Sequence, residues 1–447
     1  MVARALHYRK PGTIERPGMI RDPITCPIAK PGRGLYSRTM SDTTAPLGRD
    51  LKVMGLVGSA HAASHFFHLI LPPLFPILKD EFGVGYTELA LLTTLFYAAS
   101  GFAQTVAGFL VDRFGARRVL LCGLSLLSLS VIGYGFATHY WILVVLSIIA
   151  GLGNSVFHPA DLSILTNKVS APRLGRAYAT HGLCGNLGWA IAPVFVGTIA
   201  VLSDWRVATI AAGLVGMAIV AAFILWGAEL SDSERETATA RPTDRGEALA
   251  SNIRLLFSPT IVSCFMYFAF LAAALIGVQA FGVAAIQQLY AIEYTAATAA
   301  LTAFLVGAAA GIFAGGILAD RTDRHEIIAM AGVALSAVVL TLLGAQLVAV
   351  ALVVPALALA GFFSGTTGPS RDMLVRKATP KGATGRIFGF VYSGLDLGSS
   401  LMPLALGIVM DNGNADWVFY ACGIMLVVTM ATVTQVKARA VEANKPA

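Results

Sequence analysis

Apolar runs long enough to cross a hydrocarbon layer of ~30 Å recur from residue 54 to residue 436, separated by short polar connections. The pattern predicts twelve spans, near 54–78, 88–111, 119–137, 141–167, 177–202, 207–227, 259–287, 296–318, 327–345, 347–370, 387–410 and 417–436. No run shows the polar–apolar alternation of a barrel strand, and inside a bilayer every backbone amide must be paired within its own segment, so the spans read as helices. The expected fold is an all-α polytopic membrane protein.

Composition supports this: 56% of residues are hydrophobic and only 13% charged, about half the roughly 25% charged share of a soluble domain. Lys and Arg collect in alternate connections, at Arg113, Arg117, Arg118, Lys168, Arg173, Arg176, Arg321, Arg324 and Arg386, among others, while the opposite connections hold only Lys79 and Arg206. Under the positive-inside rule both termini are expected in the cytoplasm and the protein in the cell (inner) membrane. The net charge of +7 then reflects topology, and a nucleic-acid partner is not expected. Cys26, Cys122, Cys184, Cys264 and Cys422 are scattered, with none in an outer connection, so no disulfide framework is expected.

The expected organisation is a disordered basic tail over 1–53, a first six-helix bundle over 54–227, a cytoplasmic linker over 228–258, a second bundle over 259–436 and a tail over 437–447. Met40 begins a run, Met-Ser-Asp-Thr-Thr, that reads as an ordinary start of translation. The bundles are expected to be alike because the sequence repeats itself. Gly151, Pro159, Gly175, Arg176, Gly188, Pro193 and Gly197 recur as Gly361, Pro369, Gly385, Arg386, Gly398, Pro403 and Gly407, without a gap. At nearly the same offset, Gly108, Asp112, Arg113, Gly115, Arg117 and Arg118 correspond to a weaker set, Gly316, Asp320, Arg321 and Arg324.

That glycine–acid–arginine loop after the second helix of each half resembles the signature loop of the major facilitator superfamily. The resemblance spans residues 54–436 and implies two six-helix bundles around a cavity that opens alternately to each side. Within that loop Asp112 can face a helix N-terminus and Arg117 or Arg118 can brace the inward-closed face; the polar ends of helices 4 and 10, with Asp161 and with Arg371 and Asp372, read as further parts of a cytoplasmic gate. Asn154-Ser-Val-Phe-His158-Pro159, then Gly182, Gly185, Asn186, Gly188 and Pro193, with Ser64-His65 upstream, resemble the fosmidomycin-resistance branch of bacterial efflux pumps. The chain departs from that branch at Ala160 and Leu69, so its drug substrate does not carry over. Gly188-x-x-x-Ala192-Pro193-x-x-x-Gly197 is a loose version of a motif of proton-driven antiporters, although Ile142 to Gly151 lack the arginine that many of them carry.

Ionisable residues inside a membrane are expensive and mark function by default. His61, His65 and His68 are spaced i, i+4 and i+7, one stripe of the first helix, expected to face the cavity. Asp396 is the deepest carboxylate, mid-helix and four residues after Tyr392. Asp396, His65, His68 and His158 are the candidates for proton coupling; His61, Asn154, His181, Asn186, Gln279 and Tyr392 are the candidates for the substrate cavity. No metal is expected, because no cysteine or acid accompanies the histidine stripe locally. No cofactor is expected either, since there is no nucleotide-binding glycine loop with its lysine and no sizeable soluble domain.

The expected function is secondary transport by a monomer, with protons and a small molecule as partners: proton-coupled efflux of a small organic compound. Proton-coupled uptake of an organic anion is the alternative, and a membrane metalloenzyme or a transporter-like sensor lies further off.

Overall fold

A computed structural model describes residues 45–230, 256–322, 324–378 and 384–443. The expected start at Met40, the tail before residue 45 and most of the linker lie outside them. In the first half the helices are α1 (Leu47–His68), α2 (Phe75–Phe82), α3 (Tyr86–Phe114), α4 (Ala116–Tyr134), α5 (Tyr140–Asn154), α6 (Phe157–Lys168), α7 (Leu174–Leu202) and α8 (Trp205–Trp226). The second half has α9 (Pro259–Tyr290), α10 (Tyr294–Asp320), α11 (His325–Gly344), α12 (Val353–Ala378), α13 (Thr384–Asp411) and α14 (Asp416–Ala443).

Ten described segments are long and apolar enough to cross a membrane, counting α5 and α6 as one. The apolar part of α14, Asp416–Thr432, is shorter, and α1 is not among the ten; Arg49, Asp50, Lys52 and three histidines lower its hydropathy. Both belong to the fold by packing, α1 on α7 and α8, and α14 on α9 and α11. Helix α1 begins at Leu47, inside the expected tail, and α14 runs on to Ala443.

The first expected span is broken: α1 ends at His68, and the chain passes through a 3-10 turn at Pro72–Leu74 into α2. The fourth breaks at Ser155–Val156 between α5 and α6. Pro159 explains part of this, because it can donate no N–H and fits in the first turn of a helix, where donors have no intrahelical partner anyway. Its counterpart Pro369 lies inside an unbroken α12. The two halves therefore differ where the first half carries its histidines.

The repeated glycines are contact points between backbones, as expected where small residues let membrane helices approach closely. A Cβ on Gly188 would collide with the carbonyl oxygen of Ala62 in α1, and one on Gly398 with that of Ala269 in α9. Gly151 and Gly361 meet the carbonyls of Phe96 and Phe304 in the same pseudosymmetric way. Gly197 and Gly407 instead pack across the two halves, on Thr298 and on the Tyr86–Thr87 backbone.

Cross-half packing runs through α3 with α13 and α7 with α10. Its hydrogen bonds cluster at the end away from the arginine-rich loops: Thr94 Oγ1 donates to the Ser400 carbonyl (2.8 Å), Tyr294 Oη to the Pro73 carbonyl (3.0 Å) and Gln288 Nε2 to Tyr86 Oη (3.3 Å). Halfway along, Gly101 of α3 sits against Asp396 of α13, its would-be Cβ 3.1 Å from the Asp396 Cβ.

Candidate functional site

The helix break at residues 155–156 aims α6 so that Asp161 enters the first half between two histidines from different helices. Its Oδ2 lies 3.2 Å from His61 Nδ1 of α1 and 3.1 Å from His181 Nε2 of α7. Asp161 is fully buried, and His61 and His181 are nearly so. The His61 and His181 rings stack at 3.5 Å between centroids; His65 and His158 stand 4.4 and 5.6 Å from His61. His158 is exposed, so the cluster reaches the surface of the half through that ring.

Further along α1, His68 is locked by polar neighbours. Trp189 Nε1, which can only donate, points at His68 Nδ1 (3.2 Å), which makes Nε2 the protonated nitrogen, 3.2 Å from Asn154 Oδ1. Asn154 Oδ1 also accepts from Ser64 Oγ (2.7 Å), and its amide donates to Ser100 Oγ (3.0 Å). Both ring nitrogens of His68 are thus spent on bonds between helices. Such networks, fully satisfied, fix the packing of helices in the membrane.

The polar partners of the α1 histidine stripe come from α5, α6 and α7 of its own half: His61 meets Asp161, and His68 meets Asn154 and Trp189, while His65 and His68 keep partial exposure. Asp161, expected at the gate, is fully buried against His61 of that stripe and His181 of α7. Of the cavity candidates, His61, His181 and Asn154 join this network, Asn186 bonds back to the Gly182 carbonyl of its own helix (2.9 Å), and Gln279 is buried in α9.

A second polar group lies in the other half. Arg371 Nε bonds Asp372 Oδ1 (2.9 Å), Tyr392 Oη donates to the same oxygen (3.2 Å), and the Arg371 guanidinium lies 4.4 Å over the Phe268 ring. Asp396 is apart from both groups. It is half-buried, and among the described residues its carboxylate has no ion pair or hydrogen bond.

At the loop of the first half, Gly115 holds φ 89°, joining α3 to α4. Asp112, Arg113 and Arg118 are exposed there, and Arg117 Nη2 donates to the Phe223 carbonyl (3.2 Å). Gly108 and Gly316 have open space before them. Arg321 and Arg324 are exposed, and the side chain of Asp320 lies outside the described residues. Nearby, Arg173 Nη1 donates to Asp50 Oδ2 at 2.7 Å. Burial alone would raise the Asp50 carboxyl, but hydrogen bonds from Arg173 and Ser170 outweigh it and hold it below the ordinary carboxylate value.

Sequence reasoning missed Trp189 and Asp411. Trp189 was within reach: His181, Gly185 and Trp189 are spaced i, i+4, i+8 on one face of α7, the face that meets the histidines. Asp411, whose partners lie in the other half, gives no local sign.

The family model of the Major Facilitator Superfamily matches this chain twice, over residues 57–290 and 268–447. The chain belongs to the major facilitator superfamily. It is 23% identical over 389 residues to the fosmidomycin resistance protein of Escherichia coli (strain K12), covering 85% of this chain and 92% of that protein. An uncharacterized MFS-type transporter of Bacillus subtilis (strain 168) is 24% identical, covering 80% and 86%. Among solved structures, a bacterial homologue of the human lysosomal transporter Spinster, inward-facing and occupied, superposes with a TM-score of 0.72 over 88% of this chain and 98% of that one, at 12% identity. This superfamily member is therefore a multi-pass membrane protein of the transporter fold, as its sequence led one to expect.

Proposed function

We propose that the protein is a proton-coupled secondary transporter that expels a small organic compound from the cell by alternating access. The observation that carries this reading is Asp396: a carboxylate without a counter-ion among the described residues, at the crossing of α3 and α13 where the halves meet. A charged carboxylate is costly to enclose in an apolar contact, and a protonated one is far less so. Closing the empty halves over it therefore selects the protonated form, the proton leaves on the cytoplasmic side, and there the bound compound takes its place for the return step. Efflux is supported by the likeness to the fosmidomycin resistance protein over most of both chains.

The arginine-rich end is the cytoplasmic one in this reading, and the Asp112–Arg118 loop steadies the cavity when it closes there. The hydrogen-bonded contacts at the other end, Thr94 to Ser400 and Tyr294 to Pro73, are in this reading the ones that hold the outer side shut. Arg371, paired with Asp372 in the second half, favours the second reading, uptake of an organic anion with protons.

The test is the sign of coupling. Inside-out vesicles holding the protein and a pH-sensitive dye are energised, acid inside, and given a panel of small organic compounds that includes fosmidomycin. An antiporter lets protons out when its compound is added. A gradient that responds only when compound and protons leave the vesicle together makes the protein a symporter and ends the efflux reading.

A further inference from the structure

We propose that His61, Asp161 and His181 form a binding site for a divalent metal ion of the zinc and cobalt class, inside the first half. Each residue offers one donor atom, and the three atoms lie within 4.8 Å of one another. The two nitrogen-to-oxygen separations, 3.2 and 3.1 Å, are close to the edge of a tetrahedron with metal–ligand bonds of about 2.0 Å, which is roughly 3.3 Å. Two imidazoles and a carboxylate are ligands these ions accept, whereas magnesium and calcium favour all-oxygen shells.

A second observation points to a missing partner. Asp161 Oδ1 and His65 Nδ1 are buried without a hydrogen bond, and His61 Nδ1, although 3.2 Å from Asp161, is not aligned to donate to it. Buried polar atoms are normally satisfied. Two unsatisfied atoms beside a misaligned His61–Asp161 contact, each a lone-pair bearer or able to become one, match a cation better than they match protein donors. The His61 and His181 rings, stacked 23° from parallel with centroids 3.5 Å apart, have to swing out of the stack for their in-plane lone pairs to converge on one ion. Gly185 makes the space, since a Cβ there would come within 3.0 Å of both His61 and His65. His158, exposed and 5.6 Å from His61 between ring centroids, marks the entry side and supplies a fourth ligand or leaves that position to water.

An ion here would bind α1, α6 and α7 together; otherwise α1 meets α7 at the Ala62–Gly188 contact, and α6 is tied to α7 by the 2.8 Å bond between the Thr166 and Tyr178 hydroxyls. The site is separate from Asp396, and its test reads binding rather than transport. Tag-free protein in detergent is stripped with a chelator, dialysed against micromolar zinc and analysed for metal; one ion per chain and a higher Tm are expected. Cobalt in place of zinc should give the intense visible bands of a tetrahedral site. Asp161→Asn and His181→Gln should each weaken binding by more than about tenfold, whereas the double change His139→Gln and His325→Gln, outside the cluster, should not.

X-ray absorption on the zinc-loaded wild-type protein guards against variants that fold poorly, and should report imidazole nitrogens in the first shell. Failure to retain zinc, an all-oxygen shell, or unchanged affinity in both cluster variants would overturn the site. None of those results bears on the sign of proton coupling.

Discussion

The carboxylate of Asp411, the last residue of α13, accepts hydrogen bonds from the backbone N–H groups of Tyr86 (2.6 Å) and Thr87 (2.8 Å), the first two residues of α3. Gly85 precedes α3 without a side chain to cap it, and Glu88 bonds back to the Gly85 N–H (3.0 Å). The acid that caps α3 thus comes from the other half of the molecule, where it also faces the positive end of the helix dipole. Separating the halves at this end exposes both groups to water.

Asp411→Ala should therefore favour opening at that end. A lost cap is worth about 1–2 kcal/mol, a shift of roughly 5- to 30-fold in the population. Spin labels on Phe136 and Leu347, both exposed at this end in different halves, should show longer distances in the variant. An unchanged distance distribution would mean that the cap does not bias the two states.

Gly115 sets a second constraint. Its φ of 89° and ψ of 143° fit glycine and few other residues, and its N–H still bonds the Val111 carbonyl (2.9 Å) as α3 ends. Gly115→Ala should cost on the order of 1–3 kcal/mol in backbone strain and lower the Tm. Gly108→Ala, with open space before it, should leave the Tm where it was; equal losses at both positions would contradict the account.

The Asp50–Arg173 pair ties the start of α1 to the turn before α7, and it carries a pH signature. The folded carboxyl lies below its reference value of 3.8, so its contribution is fully present above about pH 4 and is lost as pH falls through the lower folded value. Asp50→Asn should lower the Tm at neutral pH by on the order of 2–4 °C. The gap between variant and wild type should narrow in acid, and a gap that widens there would reverse the assignment.

The fold could be read because spanning helices leave long, unambiguous apolar runs, and because the glycines that let backbones touch recur in both halves. Gly188 and Gly398 were visible as a repeat before their contacts with Ala62 and Ala269 were known. The site was legible only in part. His61, His65 and His68 form a stripe that spacing reveals, but spacing does not say which neighbour the stripe meets, and the break at Ser155–Val156 that brings Asp161 to His61 has no strong local signal. Asp411 was missed for a related reason: a helix-terminal aspartate is common, and only the assembled halves bring it to α3.

Asp396→Asn separates coupling from transport. Asparagine keeps the shape of the protonated acid and never carries its charge, so the closed contact between α3 and α13 stays open to the variant at every pH. An empty carrier that reorients without a proton dissipates the coupling, and a pH gradient should then drive no more net movement of compound than protein-free vesicles show. Exchange of compound across the membrane needs only that the loaded carrier reorient, and should continue at a rate comparable with the wild type. Asp396→Glu, which keeps a proton-binding group but lengthens it beside Gly101, should retain gradient-driven transport at reduced rate. If Asp396→Asn still accumulates compound against its gradient with an unchanged pH profile, the proton is carried elsewhere and Asp396 serves only the packing of the two halves.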